Sequence, residues 1–473
     1  MKLFKVPSVI LAVLMLLSCV SGVVVAEETN DNHPQNALNC RTLDAQSSYL
    51  GADKITDNVG SVVLYEPKSD TMMYSLEPDT RRFPSSLVKI LTAHIAIEQG
   101  NLDDVVTISQ NVLDSVPYYA ASAELVADEQ MKLSDLIYCM MVGSANDAAA
   151  AIATHISGSQ EAFVALMNDY AEKLGCSDTH FVNVHGLHDE QQYTTARDMA
   201  KILAAAVNNA DFLTFFSAAT YVVPQTNKSE ERELISGNHM THTNSMEIYF
   251  DERVVGGRTG VTEEGLRCLA TLSENNGMQL VCIVMDSKST EDDYGHTVVY
   301  GSFKETSALL DAGFNGFRVV QTLYEGQALK QYAVSNGVND LVVGPSTSAF
   351  SVLPEGTKST DLSYRFADIE NLAAPILPGQ VVSSVEVWHG NLCVGQADLV
   401  SLNEVRATVE ESVPVEQKIE TPKKNSNFTW IVIAVIVIVA IAILFVMYFV
   451  KRVQMRAQIN RTREFRRSRR RSR

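Results

Sequence analysis

The sequence predicts an α/β sandwich of non-Rossmann order, followed by a small all-β module. Three observations carry this. Short apolar segments with strand character stand near the start, at residues 60–65 and 71–76, and again far downstream, at 252–256, 266–273 and 279–285. Between them the apolar spacing is helical, at 133–142, 145–156, 161–174 and 195–207. Beyond Phe314 the pattern changes to short alternating runs punctuated by Gly and Pro. One sheet whose two edges come from distant segments, covered by the intervening helices, accommodates the first two observations.

Residues 60–65 and 71–76 flank Glu66-Pro67-Lys68-Ser69-Asp70, whose residues suit a tight turn. Next, Phe83-Pro84-Ser85-Ser86 opens a stretch holding Leu87, Val88, Ile90, Leu91, Ile95 and Ile97 that stops at Gly100. Pro and Ser at its start and Gly at its end mark a buried helix of about four turns. Strands 266–273 and 279–285 are joined by an Asn-Asn-Gly turn, and a helix over 303–312 closes this region. The first domain is therefore set at 49–314. Alternating segments at 317–323, 341–343, 362–366 and 381–389 form the β-rich domain, set at 315–408. No internal repeat is found.

At roughly 150 residues per domain, 473 residues allow two or three domains. The net charge of -18 is unevenly spread: residues 451–473 carry Lys451 and ten Arg against Glu464, and residues 1–26 carry Lys2 and Lys5 with no acid. With +10 at one end and +2 at the other, the remainder holds -30. Nucleic-acid affinity rests largely on Lys and Arg neutralising phosphates, so no nucleic-acid partner is expected for such a body.

Both ends address a membrane. Lys2 and Lys5 precede an apolar run that ends in Val24-Val25-Ala26, the order of a secretory signal cleaved after residue 26; an uncleaved anchor is the other reading. Cys19 follows a bulky Leu16-Leu17 pair and is discounted as a lipidation site. Residues 428–450 contain no charge and would span ~35 Å as a helix, enough to cross a hydrocarbon core. The basic tail 451–473 follows at once, which places it in the cytoplasm by the positive-inside rule. Residues 409–427, rich in Glu, Lys and Pro, read as a polar stalk. The expectation is a single-pass cell-membrane protein with its body on the extracytoplasmic face.

Without Cys19, six cysteines remain: Cys40, Cys139, Cys176, Cys268, Cys282 and Cys393. None shows the C-x-x-C spacing of a zinc site, so buried thiols with at most one or two bridges are expected. His180, His185 and His188, or His239 and His242, lack the H-E-x-x-H spacing of a metalloprotease and read as loop or core residues. No metal or other cofactor is expected.

Three short elements carry chemistry. In Ser86-Leu87-Val88-Lys89, helical spacing brings a hydroxyl and an amine onto one face, and a neutral amine can take the hydroxyl's proton during acyl transfer. Ser86 and Lys89 are the only Ser–Lys pair with this spacing in the chain. Ser144-Ala145-Asn146, at the junction of two helical patterns, offers a hydroxyl to relay a proton and an amide to hold a carbonyl or the Lys. Ser236-Gly237-Asn238 fits the same pattern, but it lies in a polar stretch rather than between helices. Arg258-Thr259-Gly260, followed by Val261, offers a cation, a hydroxyl and a close backbone approach on a strand edge, suited to a carboxylate beside an oxyanion. A fixed charge at Arg258 would also help to keep Lys89 neutral.

In this order and spacing the elements resemble those of the penicillin-binding, serine-type D-alanyl-D-alanine carboxypeptidases of the peptidase S11 family: Ser-x-x-Lys, Ser-x-Asn and Lys-Thr-Gly. The flanks are similar too, at Phe83-Pro84-Ser85-Ser86, Gly143-Ser144-Ala145-Asn146, Leu174-Gly175-Cys176-Ser177 and His185-Gly186-Leu187. The segment after residue 314, with Ala373-Ala374-Pro375-Ile376, resembles that family's β-domain. The resemblance implies a penicillin-binding, β-lactamase-like transpeptidase fold with an antiparallel sheet. It also implies removal of the terminal D-alanine from peptidoglycan stem peptides through an acyl-serine, without metal, and β-lactams as covalent inhibitors.

Carried over, Ser86 is the nucleophile, Lys89 its base and Ser144 the relay. Asn146 orients the substrate, Arg258 and Thr259 bind its carboxylate beside Gly260, and the N–H groups of Ser86 and Val261 form the oxyanion hole. Arg258 stands where the family usually has Lys, and Lys288 stands near where comparable relatives carry a carboxylate-site Arg. A serine β-lactamase of class A would need a Glu-x-x-Leu-Asn segment, absent between Asn146 and Arg258. A non-catalytic wall-binding relative would be expected to have lost Ser86 or Lys89.

Overall fold

The computed structural model describes residues 58–408, apart from 243–246, 264–265, 292–296 and 370. The signal segment 1–26, stalk 409–427, apolar segment 428–450 and tail 451–473 lie outside the described residues. Among the described residues no helix is long and apolar enough to cross a membrane.

The central sheet has five strands. These are β1 (Ser61–Glu66), β2 (Thr71–Leu76), β3 (Val254–Val261), β4 (Arg267–Asn275) and β5 (Met278–Ser287). They are antiparallel in the order β2-β1-β5-β4-β3, so the edges come from opposite ends of the domain. Strand alternation assigns the side chains to two layers. Val63, Val281, Ile283 and Met285 enter the core shared with the inserted helices, whereas Val62, Leu64, Leu280, Cys282 and Val284 enter the core under the helix Gly301–Gly316. Burial on both faces explains why these strands read as nearly continuous apolar runs. The β4–β5 turn needs positive φ at both central residues, and Asn276 (51°) and Gly277 (77°) supply it.

The helix α1 (Val88–Gln99) runs through the larger core, buried from Val88 to Ile97. Around it pack α2 (Leu133–Met141), α3 (Asn146–Ser157), α4 (Gln160–Lys173) and α5 (Ala196–Ala206), close to the helical segments expected. Two outcomes differ from expectation. Strand β3 continues past residue 256 through the Arg258 triplet to Val261, because its Gly pair is demanded by packing rather than turning: a Cβ on Gly256 would lie 2.6 Å from the Phe216 carbonyl oxygen. The hairpins Val105–Thr107 with Gln130–Lys132, and Thr220–Val223 with Arg232–Ile235, were too short and polar to announce themselves.

Beyond residue 316 a five-stranded sheet orders Lys330–Tyr332, Leu341–Pro345, Leu392–Ser401, Val381–His389 and Leu362–Phe366, beside the pair Phe317–Leu323 and Ala349–Pro354. It has its own core around Leu341, Val343, Val385, Val387 and Leu399. Val352 instead packs into the core beneath Gly301–Gly316, and the two parts form one compact unit reaching Thr408. Cys139, Cys176, Cys268 and Cys282 are buried free thiols, and Cys393 is disulfide-bonded.

Candidate active site

Pro84 leads into one 3-10 turn, Ser85–Leu87, which runs directly into α1. Ser86 thus stands one turn before Lys89, and the Lys89 Nζ lies 3.2 Å from the Ser86 Oγ. The turn is clamped by two glycines. Gly186, at φ 90°, presses on the Ser85 carbonyl so closely that an added Cβ would lie 2.0 Å from its oxygen. Gly260 passes on the other side, where a Cβ would meet the Ser85 side chain and the Ser86 nitrogen at 3.1 Å. Ser85 itself is held at φ 47°, a conformation costly for a residue with a Cβ.

Lys89 is fully buried. Its amine donates to Asn146 Oδ1 at 2.7 Å and to the His185 carbonyl oxygen. Burial, and then the positive charge of Arg258, push its pKa well below the ordinary lysine value, while Asp147 opposes them. A neutral amine has two N–H bonds and one lone pair. In that form the two carbonyl oxygens can take the two N–H bonds, which leaves the lone pair for the Ser86 hydroxyl.

Ser144 sits at φ 60° in the tight junction between α2 and α3, with its Oγ 3.4 Å from the Ser86 Oγ. Asp147, in the first turn of α3, accepts from the N–H groups of Ala123 and Leu125 and from the Ser122 hydroxyl, fastening the 115–125 loop to the site.

The guanidinium of Arg258 is buried and serves the protein itself. It donates to the Ser86 carbonyl at 3.3 Å, to the Met141 carbonyl at 2.9 Å and to the Ser144 Oγ. Burial lowers its pKa to about 10. Arg has no acceptor, so Ser144 must receive its hydrogen bond and direct its own O–H elsewhere, toward Ser86. Three of its five N–H groups are thus engaged within the protein beneath the cleft.

The cleft over Ser86 is lined by Pro84, Ser85, Tyr119, Asn146, His185 and Val261 among others. Neither Arg258, Thr259, Gly260 nor Lys288 lines it. Gly260 acts through close approach to Ser85 and Ser86, and Thr259 faces the Ser236–Asn238 loop, where a Cβ on Gly237 would lie 3.2 Å from its Oγ1. Lys288 is exposed, its N–H bonded to the Asn58 carbonyl; its side chain was expected nearer the site. The rival Ser236 and Asn238 are buried against β3 rather than beside Lys89, and the Asn238 Nδ2 has no hydrogen-bond partner among the described residues.

The histidines fall into packing roles. His180 Nδ1 bonds to the Gln191 carbonyl at 2.8 Å, His188 stacks edge-on to Phe83, and His239 and His242 sit with each other. Burial holds the pKa of His185 down to about 3, so it stays neutral. Among the described residues no group of His, Cys, Asp or Glu is placed to hold a metal.

Sequence reasoning passed over Ser85, whose hydroxyl bridges the Val261 N–H and C=O, and the His185 carbonyl, a backbone group that no side-chain pattern can announce. It also passed over Asp147; an acid directly after a motif Asn, at a helix start, was the available signal.

Comparison with known proteins gives consistent matches. The D-alanyl-D-alanine carboxypeptidase family, peptidase S11, matches residues 51–289, and the penicillin-binding protein 5 C-terminal domain matches residues 317–407. The chain is 29% identical over 379 residues to D-alanyl-D-alanine carboxypeptidase DacA of Haemophilus influenzae, covering 78% of this chain and 91% of that protein. DacA of Escherichia coli is likewise 29% identical over 358 residues, covering 73% of this chain and 83% of its own. Among solved structures, penicillin-binding protein 5 from Haemophilus influenzae superposes with a TM-score of 0.64 at 28% identity, over 75% of this chain and all of that one.

Proposed function

This chain belongs to the serine-type D-alanyl-D-alanine carboxypeptidases of the peptidase S11 family, and from that premise we propose that Ser86 is its acylated nucleophile and Lys89 the base. The fold is a penicillin-binding transpeptidase domain followed by the all-β domain of penicillin-binding protein 5, and the substrates implied are peptidoglycan stem peptides, with β-lactams as their covalent mimics. The observation that carries the assignment is a fully buried amine, 3.2 Å from a hydroxyl, whose other partners are the Asn146 and His185 carbonyl oxygens.

The steps follow from that arrangement. Ser86 Oγ attacks the carbonyl carbon of the penultimate D-alanine while its proton passes to the Lys89 lone pair. The C–N bond breaks, and the proton returns through the Ser144 hydroxyl to the departing D-alanine nitrogen. Water then attacks the acyl-serine, giving its proton to Lys89, and the acid product leaves with Ser86 restored. Asn146 holds Lys89 at 2.7 Å and borders the cleft, which suits orienting both amine and substrate. Arg258 acts by charge and by fixing Ser144, rather than as a bidentate clamp. Thr259 and Gly260 place β3 so that Val261 can pair with an extended substrate. Lys288 is left at most a distant electrostatic role in carboxylate recognition.

We also propose that the chain is exported by residues 1–26 and held in the cell membrane by residues 428–450, with the basic tail in the cytoplasm and the acidic body outside. Support comes from the uncharged 23-residue segment and the charge asymmetry around it. No nucleic-acid partner is proposed.

Incubation with a peptide ending in D-Ala-D-Ala tests the activity. Stoichiometric release of D-alanine is expected, with none from a peptide ending in L-Ala. Fast turnover of ring-opened penicillin with no peptide hydrolysis would favour a serine β-lactamase instead, and neither reaction would favour a wall-binding relative.

A further inference from the structure

We propose that Ser85 is an internal competitor for substrate at the oxyanion hole, a positioning residue that sets how fast Ser86 is acylated. The inference rests on Ser86 being the nucleophile. Its basis is the outer edge of β3 beside the cleft. At Val261 the N–H and C=O of one residue point out of the sheet, and both lie where an extended peptide would add itself as a further strand. One hydroxyl has taken both. Val261 N–H donates to the Ser85 Oγ at 3.0 Å, and the Ser85 hydroxyl donates to the Val261 oxygen at 2.7 Å.

The placement is enforced by the backbone. Ser85 holds φ 47° because Gly186 presses on its carbonyl and Gly260 lies against its side chain, so the Cβ points at the strand edge. Ser85 and Val261 both line the cleft with Ser86, and Val261 is half exposed, so a substrate can reach the edge once the hydroxyl turns away about χ1. The carbonyl oxygen of the bond under attack would then replace the Ser85 Oγ as acceptor from the Val261 N–H. An amide N–H on the substrate would replace the Ser85 hydroxyl as donor to the Val261 oxygen.

A ligand that carries both groups recovers both bonds. One that lacks the amide N–H recovers only the first and leaves the Val261 oxygen unpaired. Ser85 therefore penalises every ligand by the two bonds it must give up, and only a ligand with a flanking amide regains both. No bond is made or broken at Ser85 itself.

The test compares second-order acylation constants for the full chain with Ser85→Ala, Ser85→Gly and Ser85→Thr. The probes are benzylpenicillin, which carries an acylamino group, and a penam that lacks it. Gly suits the positive φ and guards against misfolding of the Ala variant, and thermal unfolding reports the fold of each. Ser85→Ala and Ser85→Gly should be acylated faster by both probes, by about tenfold, the effect of one net hydrogen bond. Ser85→Thr keeps the hydroxyl and should stay near the wild-type rate. Wild-type protein that is acylated at Ser86, with folded Ala and Gly variants no faster, would overturn the role of Ser85 alone. Wild-type protein with no adduct at Ser86 would overturn the nucleophile assignment and this role with it.

Discussion

Replacing Gly186 by Ala should disable the nucleophile from a distance of two packed backbones. At φ 90° the substitution first incurs the left-handed penalty of a residue with a Cβ, ~1–2 kcal/mol. The new methyl would then stand 2.0 Å from the Ser85 oxygen, 2.4 Å from its carbonyl carbon and 3.0 Å from the Ser86 nitrogen. Comfortable contact begins near ~3.5 Å, so the peptide joining Ser85 to Ser86 has to retreat by on the order of 1 Å. A shift of that size in a reacting group costs ~100-fold in rate, equivalent to ~2.7 kcal/mol. Gly158→Ala is the matched control: φ is 79° and nothing lies within 4 Å, so only the backbone penalty applies. The assay is the rate of labelling by a fluorescent penicillin, with thermal unfolding measured alongside. Gly186→Ala should label ~100-fold more slowly, and Gly158→Ala at the wild-type rate despite comparable backbone strain. Equal labelling by both variants would refute the claim that Gly186 positions Ser86.

Three further outcomes follow from the charges and the termini. Acylation needs neutral Lys89, so its rate should fall as pH drops through that group's depressed pKa; Arg258→Gln removes the opposing charge, raises that pKa and should move the acid limb to higher pH, whereas Arg258→Lys should leave it in place. An unmoved limb in Arg258→Gln, read from labelling rates across pH, would contradict this coupling. Burial pushes the thiols of Cys139, Cys176, Cys268 and Cys282 up to about 12, so none should react with a thiol reagent until the protein is unfolded; modification of the folded chain at any of them would contradict their burial. Protease added to intact cells should digest the body and spare the basic tail, and the reverse pattern would sink the proposed topology.

Much of the fold was legible because it is written in apolar period. The strand pair at 60–76, the Asn276-Gly277 turn and the helices of the larger core each repeat a pattern that burial requires. What was not legible depends on contacts between distant segments. The strand expected at 252–256 continues as β3 to Val261, and it is Phe216, forty residues earlier, that forbids a side chain at Gly256. The Ser86–Lys89 spacing pointed to an amine near a hydroxyl, and Arg258 to a charge that lowers its pKa, but the burial that depresses it most is reported by no local pattern. The direction of Arg258 was legible only in part. Its residue type suggested a substrate carboxylate and a charge beside Lys89, while its contacts with the Ser86 and Met141 carbonyls come from the fold. Ser85 was invisible as a participant because its partners lie 176 residues away.

The central claim is that the buried amine of Lys89 activates Ser86. Benzylpenicillin trapping followed by mass analysis of the peptides tests it directly, on the wild-type chain, Ser86→Ala and Lys89→Ala. A single adduct on the peptide containing Ser86, absent in Ser86→Ala and formed slower by several powers of ten in Lys89→Ala, is the expected result. An adduct mapped to Ser144 or Ser236, or labelling that survives unchanged in Ser86→Ala, would contradict it.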